Sequence, residues 1–531
     1  MYGESDRGRQ VWGRQECLPH VCAVDARPRG GSSVTAGMLR PLAVTGLLLA
    51  FLFFYRLLWM EYPQVWPDEA LFSSPAINLA MGRGMGTDLL ENLIPGIESR
   101  TYWIPPLYPA LLSGVFRMAG IGIAQVRVFS LVLGVLSILC FLGVARLLCQ
   151  TGRNPVLAYL LGAMLLVSDR LFLRASILGR MEILVIALSL GALYAYLMLQ
   201  RQHPGRARTG WCCALGLMTG LAFITHPMSL CVLGAIGIDG LLGLRDKKVN
   251  GRDIAVATSV AACCLLPWVW YAAQDLPNFS AQFLGQLARK AGNSPGSLIE
   301  FLGTRFYFIQ YESATGIAAI THGVAFLGLL YLCWVRRQRA FGVRCVSILL
   351  CCTLFLVLWA NEIWYPVYLV TVAALSLTIA LQHCRRLQRW ALAAVVVAYA
   401  LGNWGSLLKM SREYGPSGGG ERYTSLCEQI SKSLPQGASV LLSAVPDPFF
   451  GLRLREDLDI REFVPAGIPI SLALYQGVLN RQDYIISGIL NPSPQVIEFL
   501  DDPMRCRVKR IIKDAKWPEY STVIFEVRKH T

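Results

Sequence analysis

Apolar residues recur along this chain in runs of about 20, a length that matches the roughly 30 Å of hydrocarbon in a bilayer at about 1.5 Å per helical residue. The runs predict eleven membrane-spanning helices. They lie near Pro41–Met60 and near residues 127–149, 155–168, 182–200, 211–226, 227–244, 253–274, 317–335, 345–360, 363–381 and 390–408. Two long polar-to-mixed stretches interrupt them, at 61–126 and 275–315. After the last run the pattern changes. Residues 415–420 (Gly-Pro-Ser-Gly-Gly-Gly) read as a linker. Glu421–Ser433 has a helical period, and Ala438–Ser443, Asp483–Ser487 and Thr522–Val527 read as strands. The predicted architecture is a polytopic α-helical membrane protein with a small C-terminal α/β extramembrane domain. Residues 1–40 form a cytoplasmic tail without helical period, 41–408 the transmembrane part and 409–531 the α/β domain. Met38, directly before the first apolar run, is the more natural start of the chain.

Composition and charge add orientation. Hydrophobic residues make up 54% of the 531 and charged residues 16%, against roughly 25% charged in a soluble enzyme. The net charge is +15, and 33 basic against 19 acidic residues lie before Lys409. The short connectors 146–154, 201–210, 245–253, 336–344 and 385–389 hold 16 Lys/Arg in 42 residues, whereas 61–126, 169–181 and 275–315 hold 9 in 120. Positive residues stay on the cytoplasmic side. The N-terminus, Lys248 and Arg337 are therefore expected in the cytoplasm, with Gly292, Gly419 and the α/β domain outside. The expected location is a bacterial plasma (inner) membrane with a periplasmic or extracellular C-terminal domain. The same count requires Ile104–Ile123 not to cross, so Pro105-Pro106-Leu107-Tyr108 should open a helix lying in the outer interface. Charge distributed this way points to the bilayer as partner and away from nucleic acid. The 16 cysteines and 6 histidines show no metal-ligand spacing. Only Cys427 and Cys506 lie in the polar part, where they could pair.

Chemistry concentrates in the outer stretches. Pro67-Asp68-Glu69-Ala70 sets two carboxylates just past the first span, either as an ordinary acidic helix start or as a base for an acceptor hydroxyl. The glycine-rich Asn78–Gly86 follows no strand, so it reads as a loop and not as a nucleotide cradle. Arg100 and Tyr102 combine a cation and an aromatic at the interface. Arg170, Arg174 and Arg180 stand within thirteen residues of an outer connector, against the orientation rule. Arginine forks at headgroup depth bind phosphate; pairing with Asp169 and Glu182 is the alternative. Arg127 belongs to the same layer. His226, Glu362 and Tyr365 lie in tight outer turns, and Arg305, Tyr307, Tyr311 and Glu312 just before span eight. Ionisable residues inside spans are few, Arg56 and Asp239 being the clearest, which speaks against the alternative class, a transporter or flippase of a lipid-linked sugar.

These motifs, in this order, resemble the GT-C superfamily of membrane glycosyltransferases that use polyprenyl-phosphate sugars, nearest the protein O-mannosyltransferase, lipid A aminoarabinose transferase and Rgt-like branches. The resemblance rests on Pro67–Ala70, Gly86, Pro105–Tyr108, Gly120, Arg127, Arg180-Met181-Glu182 and Tyr365-Pro366, and covers 41–408. It implies a GT-C fold and an inverting transfer of a monosaccharide from a polyprenyl-phosphate donor to a lipid, glycan or protein hydroxyl. Asp68 and Glu69 would be catalytic. Arg180, Arg174, Arg127, Arg100 and Tyr102 would serve the donor phosphate, and His226, Glu182, Tyr365, Glu362 and Tyr311 the substrates. The interior face of spans such as 182–200 would guide the lipid. Aminoarabinose transferases carry Glu-Lys before the double proline where this chain has Trp103-Ile104. A phosphate-binding lysine and a carboxylate associated with metal in some relatives are thus missing, which leaves a divalent metal open and no cofactor named.

Overall fold

The computed structural model describes residues 34–58, 64–149, 155–292, 300–311, 315–335, 341–414, 421–463, 472–488, 494–513 and 521–529. The linker 415–420, Arg337 and Glu312 lie outside these residues. Met1–Ala43 and Val44–Thr531 form two units, the described part of the first being the opening of helix α1 (Val34–Leu58). The first long loop folds into α2 (Pro67–Ala80) and α3 (Leu107–Ala119). The apolar runs become α1, α4 (Ile123–Leu148), α5 (Pro155–Ser168) with α6 (Arg170–Ile177), α7 (Glu182–Leu199), α8 (Arg206–Phe223), α9 (Leu230–Arg245), α10 (Gly251–Ala273), α12 (Thr315–Leu330), α13 (Val343–Ala360), α14 (Pro366–His383) and α15 (Arg386–Tyr414). The second long loop forms α11 (Leu276–Gly292) and a π-helical turn, Phe301–Phe308.

Nine of the described helices are long and apolar enough to cross a membrane, and α5 with α6, bent by 61°, make a tenth. The protein is an integral membrane protein. The bend replaces the outer connector expected at 169–181. Asp169 accepts hydrogen bonds from the Leu171 and Phe172 amides, at 2.7 and 3.2 Å, so it ends one helix and caps the next. Helix α8 is less apolar because Arg206 and Arg208 open it. It still joins the two ends of the bundle. Arg208 pairs with Asp253 at 2.6 Å where α10 begins, and His226, past the end of α8, meets the Tyr365 hydroxyl at 3.0 Å where α14 begins. Gly216 and Gly220 of α8 let α10 approach closely: a Cβ on Gly216 would lie 2.3 Å from the Ala257 carbonyl oxygen. Helices α7 and α14 are the most enclosed, with 78% and 89% of their apolar windows buried.

The α/β domain holds a five-stranded sheet of order β2-β1-β3-β5-β4, made of β1 (Ser439–Ser443), β2 (Asp459–Glu462), β3 (Tyr484–Gly488), β4 (Cys506–Ile512) and β5 (Thr522–Val527). The strands β1, β2 and β3 are parallel; β5 runs antiparallel to β3 and β4. The buried central strands are the apolar runs read from the chain. The edges β2 and β4 escape that reading because edge strands carry charges, Asp-Ile-Arg-Glu and Cys-Arg-Val-Lys-Arg-Ile-Ile. Cys427 and Cys506 are both buried and both free, so the pairing considered for them is not made. The domain docks on the first loop: the Asp447 amide donates to the Val65 carbonyl at 2.9 Å, and Arg461 bonds the Asp88 carbonyl at 2.6 Å and pairs with Glu91.

Candidate active site

One end of the bundle encloses a cavity of about 450 Å³. Its wall gathers Trp66 and Asp68 at the start of α2, Thr101, Trp103, Ile104 and Pro105 from the first loop, Arg180, Met181 and Glu182 at the start of α7 and His226 before α9. It continues with Gln286, Arg289 and Lys290 from α11, Glu362, Trp364 and Tyr365 before α14, and Phe463 after β2. Arg180 is at the centre. Its guanidinium pairs with Asp68, holds Glu182 at 2.7 Å, and lies 4.3 Å from the centre of the Trp364 ring. Arg174 covers the same ring at 4.6 Å. Opposite, Arg289 pairs with Glu362 at 2.8 Å, and Lys290 hydrogen-bonds the Tyr365 hydroxyl, which also meets His226 Nε2. His226 Nδ1 accepts the Met228 amide at 3.0 Å, which leaves its proton on Nε2. Burial, with Lys290 and Arg180 close by, holds His226 well below the usual imidazole range, so it is neutral. Burial also lowers Lys290, to about 8, despite the pull of Glu362.

Asp68 and Glu69 have different surroundings. The Asp68 carboxylate is 24% exposed, toward the cavity. Glu69 is wholly buried behind it. Its carboxylate accepts the Gly179 amide at 2.9 Å, the Trp66 amide at 3.1 Å and the Arg127 guanidinium at 3.0 Å. Glu69 is thus an N-terminal cap of α2 and a clamp on the turn that presents Arg180. A Cβ on Gly179 would lie 2.1 Å from Val126 Cγ1, so this packing depends on a bare backbone there.

Of the residues singled out in the sequence, Asp68, Arg180, Glu182, His226, Glu362 and Tyr365 share the cavity, with Arg174 beside it. Glu69 and Arg127 lie behind it as a buried pair. Tyr102 is buried among Trp268, Tyr271 and Phe279, and the Arg100 guanidinium lies 5.2 Å from the Tyr271 ring centre, so neither is on the wall. Tyr311 belongs to another cluster, donating to Asp169 at 2.7 Å beside Tyr399. Their amphipathic or aromatic character is used for packing.

Residues 104–271 match the protein family described as dolichyl-phosphate-mannose-protein mannosyltransferase. The fold is similar to ArnT from Cupriavidus metallidurans bound to undecaprenyl phosphate, at 14% identity and a TM-score of 0.60 over 93% of this chain and 98% of that one. It is also similar to the oligosaccharyltransferase AglB from Archaeoglobus fulgidus in complex with an inhibitory peptide and a dolichol-phosphate, at 13% identity and a TM-score of 0.58 over 86% and 70%. The chain has the fold of the GT-C superfamily of membrane glycosyltransferases. No curated protein matches it in sequence.

Within this GT-C fold, sequence reasoning missed Arg289 and Lys290. The available signal was an amphipathic Leu276–Gly292 with two adjacent cations in a loop otherwise poor in them. Among the described residues no three His, Cys, Asp or Glu side chains converge as ligands, and the guanidinium of Arg180 occupies the space between Asp68 and Glu182.

Proposed function

We propose that this chain is an inverting glycosyltransferase that moves a monosaccharide from a polyprenyl-phosphate donor to a hydroxyl acceptor at the outer face of a bacterial plasma membrane. One observation carries the reading: a partly exposed carboxylate, Asp68, and three cations, Arg180, Arg289 and Lys290, share a cavity whose far wall is apolar and reaches the outside of the bundle. Phe355, Leu356 and Trp359 of α13 and Leu230 of α9 make that wall, and Phe355 is 67% exposed. A polyprenyl tail lies against it while its phosphate meets the cations. The phosphate competes for Arg180, which keeps its bond to Glu182 and releases Asp68.

Asp68 then takes the acceptor proton as the acceptor oxygen attacks the anomeric carbon. The bond from that carbon to the phosphate oxygen breaks, and its electrons leave with the polyprenyl phosphate, whose charge the three cations stabilise. Attack from the face opposite the phosphate inverts the anomeric centre. Trp66, Trp103 and Phe463 give the sugar and acceptor aromatic and apolar surface between α2 and the α/β domain.

The test is purified full-length protein given radiolabelled polyprenyl-phosphate sugar and extracted cell-envelope acceptors. Transfer of label, or its slow hydrolysis to water, is the expected result. Movement of intact donor across vesicle bilayers with no bond broken would make the chain a flippase and end this reading.

A further inference from the structure

Helix α11 carries its cations to the cavity on a stripe that also contains a fully engaged amide. Phe279, Gln282, Phe283, Gln286 and Lys290 follow at three- and four-residue steps, one face of a helix. Phe279 packs on the Tyr102 ring at 5.6 Å. Gln282 is 3% exposed. Its Oε1 accepts the Tyr102 amide at 2.6 Å and the Trp103 amide at 3.3 Å. Its Nε2 donates to the Pro95 carbonyl at 2.9 Å and the Arg100 carbonyl at 3.0 Å. Two donors and two acceptors are all that a primary amide has. All four partners are backbone atoms of the first loop, and the strip they belong to supplies Thr101 and Trp103 to the cavity wall. Eight residues further on, roughly 12 Å along the helix, Lys290 reaches Tyr365.

We propose that Gln282 is a positioning residue: it pins α11 to the first loop so that Arg289 and Lys290 stand over the donor's phosphate. This rests on the functional reading above and adds the element that holds the phosphate site together. No other side chain fits. Asparagine is one methylene too short to span both strips. Glutamate has no donor and would set a carboxylate against two carbonyl oxygens. An apolar residue leaves four backbone groups without this partner, among them the amide of the fully buried Tyr102.

The experiment measures binding of sugar-free polyprenyl phosphate to the detergent-solubilised full chain, beside its thermal midpoint. Failure of the unsubstituted protein to bind would sink the functional reading itself. Given binding, Gln282→Ala is expected to weaken it about tenfold or more, the scale of a lost charge-assisted contact, and to raise the donor KM by a larger factor than the acceptor KM. Gln282→Glu should bind weakly near neutral pH and recover on acidification, when the protonated carboxyl can again donate. Lys290→Met should be non-additive with Gln282→Ala, because both remove the same contact. Unchanged phosphate binding in a folded Gln282→Ala, or full additivity with Lys290→Met, would overturn the pin. If Gln282→Ala does not fold, the pH response of Gln282→Glu decides: a flat response overturns it.

Discussion

Asp68 and Glu69 are adjacent in the chain, and Arg180 and Arg127 divide them: Arg180 meets Asp68 in the cavity, while Arg127 holds Glu69 at 3.0 Å in the protein interior. Two like residues at the start of one helix thereby take different tasks. The exposed one can exchange a proton with a substrate. The buried one is fixed by four N–H groups and joins α2 to the Gly179–Arg180 turn.

Substitution should separate these tasks. Asp68→Asn is expected to abolish transfer, by about the 10²–10⁴-fold that a general base contributes, with the thermal midpoint near that of the unsubstituted protein. Glu69→Gln leaves the Arg127 guanidinium, which is 0% exposed, without its counter-charge. Breaking a buried pair costs about 3–5 kcal/mol, so this variant should lose yield and thermal stability. Turnover per folded molecule together with thermal unfolding checks both. A stable, inactive Glu69→Gln beside an active Asp68→Asn would reverse the assignment.

Arg180 should dominate donor binding. Arg180→Ala is expected to weaken polyprenyl-phosphate binding by roughly tenfold or more, and Arg180→Lys to restore only part, because lysine cannot hold phosphate and Glu182 through one planar fork. Arg174→Ala, which removes the second cation from the Trp364 ring and a 3.4 Å hydrogen bond to the Ile363 carbonyl but nothing that touches Asp68 or Glu182 in the cavity, should have the smaller effect. Isothermal binding measurements on the three variants would show whether that order holds.

Lys290 predicts an alkaline limit. Burial brings its ammonium to about 8, so the cation is present below that value and is lost as pH rises through it. Donor affinity should therefore decline above about pH 8, the cation being the phosphate-binding form. Lys290→Arg keeps its charge throughout this range and should flatten the decline. A pH profile of donor KM for both proteins is the measurement, and identical profiles would remove Lys290 from the phosphate site.

The docked α/β domain predicts a second pH dependence. Asp447 and Glu462 face each other, both fully buried; burial raises Asp447 to about 7 and holds Glu462 well above the carboxylate range, Asp447 adding to it. The nearby charged and titratable groups are Glu69, Tyr423 and Cys427, none of them a cation. A carboxyl raised in the folded state gives stability fully present below its unfolded value of about 4 and lost as pH rises through about 7. Asp447→Asn with Glu462→Gln mimics the protonated pair and should remove that loss. Thermal midpoints between about pH 5 and pH 8, with hydrogen exchange at the Asp447 amide that binds Val65, would register it. An unchanged slope in the double variant would place the dependence elsewhere.

The sequence by itself determined the number and place of the helical runs, because hydrocarbon-length apolarity is local and needs no partner. It also marked α3 as a helix that the distribution of basic residues keeps from crossing, the buried strands β1, β3 and β5, and the residue types at the mouth of the bundle. Tertiary structure alone decided which of these residues meet. Glu69 and Asp68 differ by one position, and only the approach of Gly179 from a turn and Arg127 from α4 buries one and exposes the other. Arg289 and Lys290 read as ordinary polar residues of a surface helix until Gln282 pins that helix across nearly two hundred residues of chain. Tyr102, Tyr311 and Arg127 have the chemistry of a site, but the fold sets them off the cavity wall, in a ring cluster, beside Asp169 and against Glu69 respectively. Local pattern reports what a residue can do; its role follows from the neighbours that desolvate or pair it, and those come from distant parts of the chain.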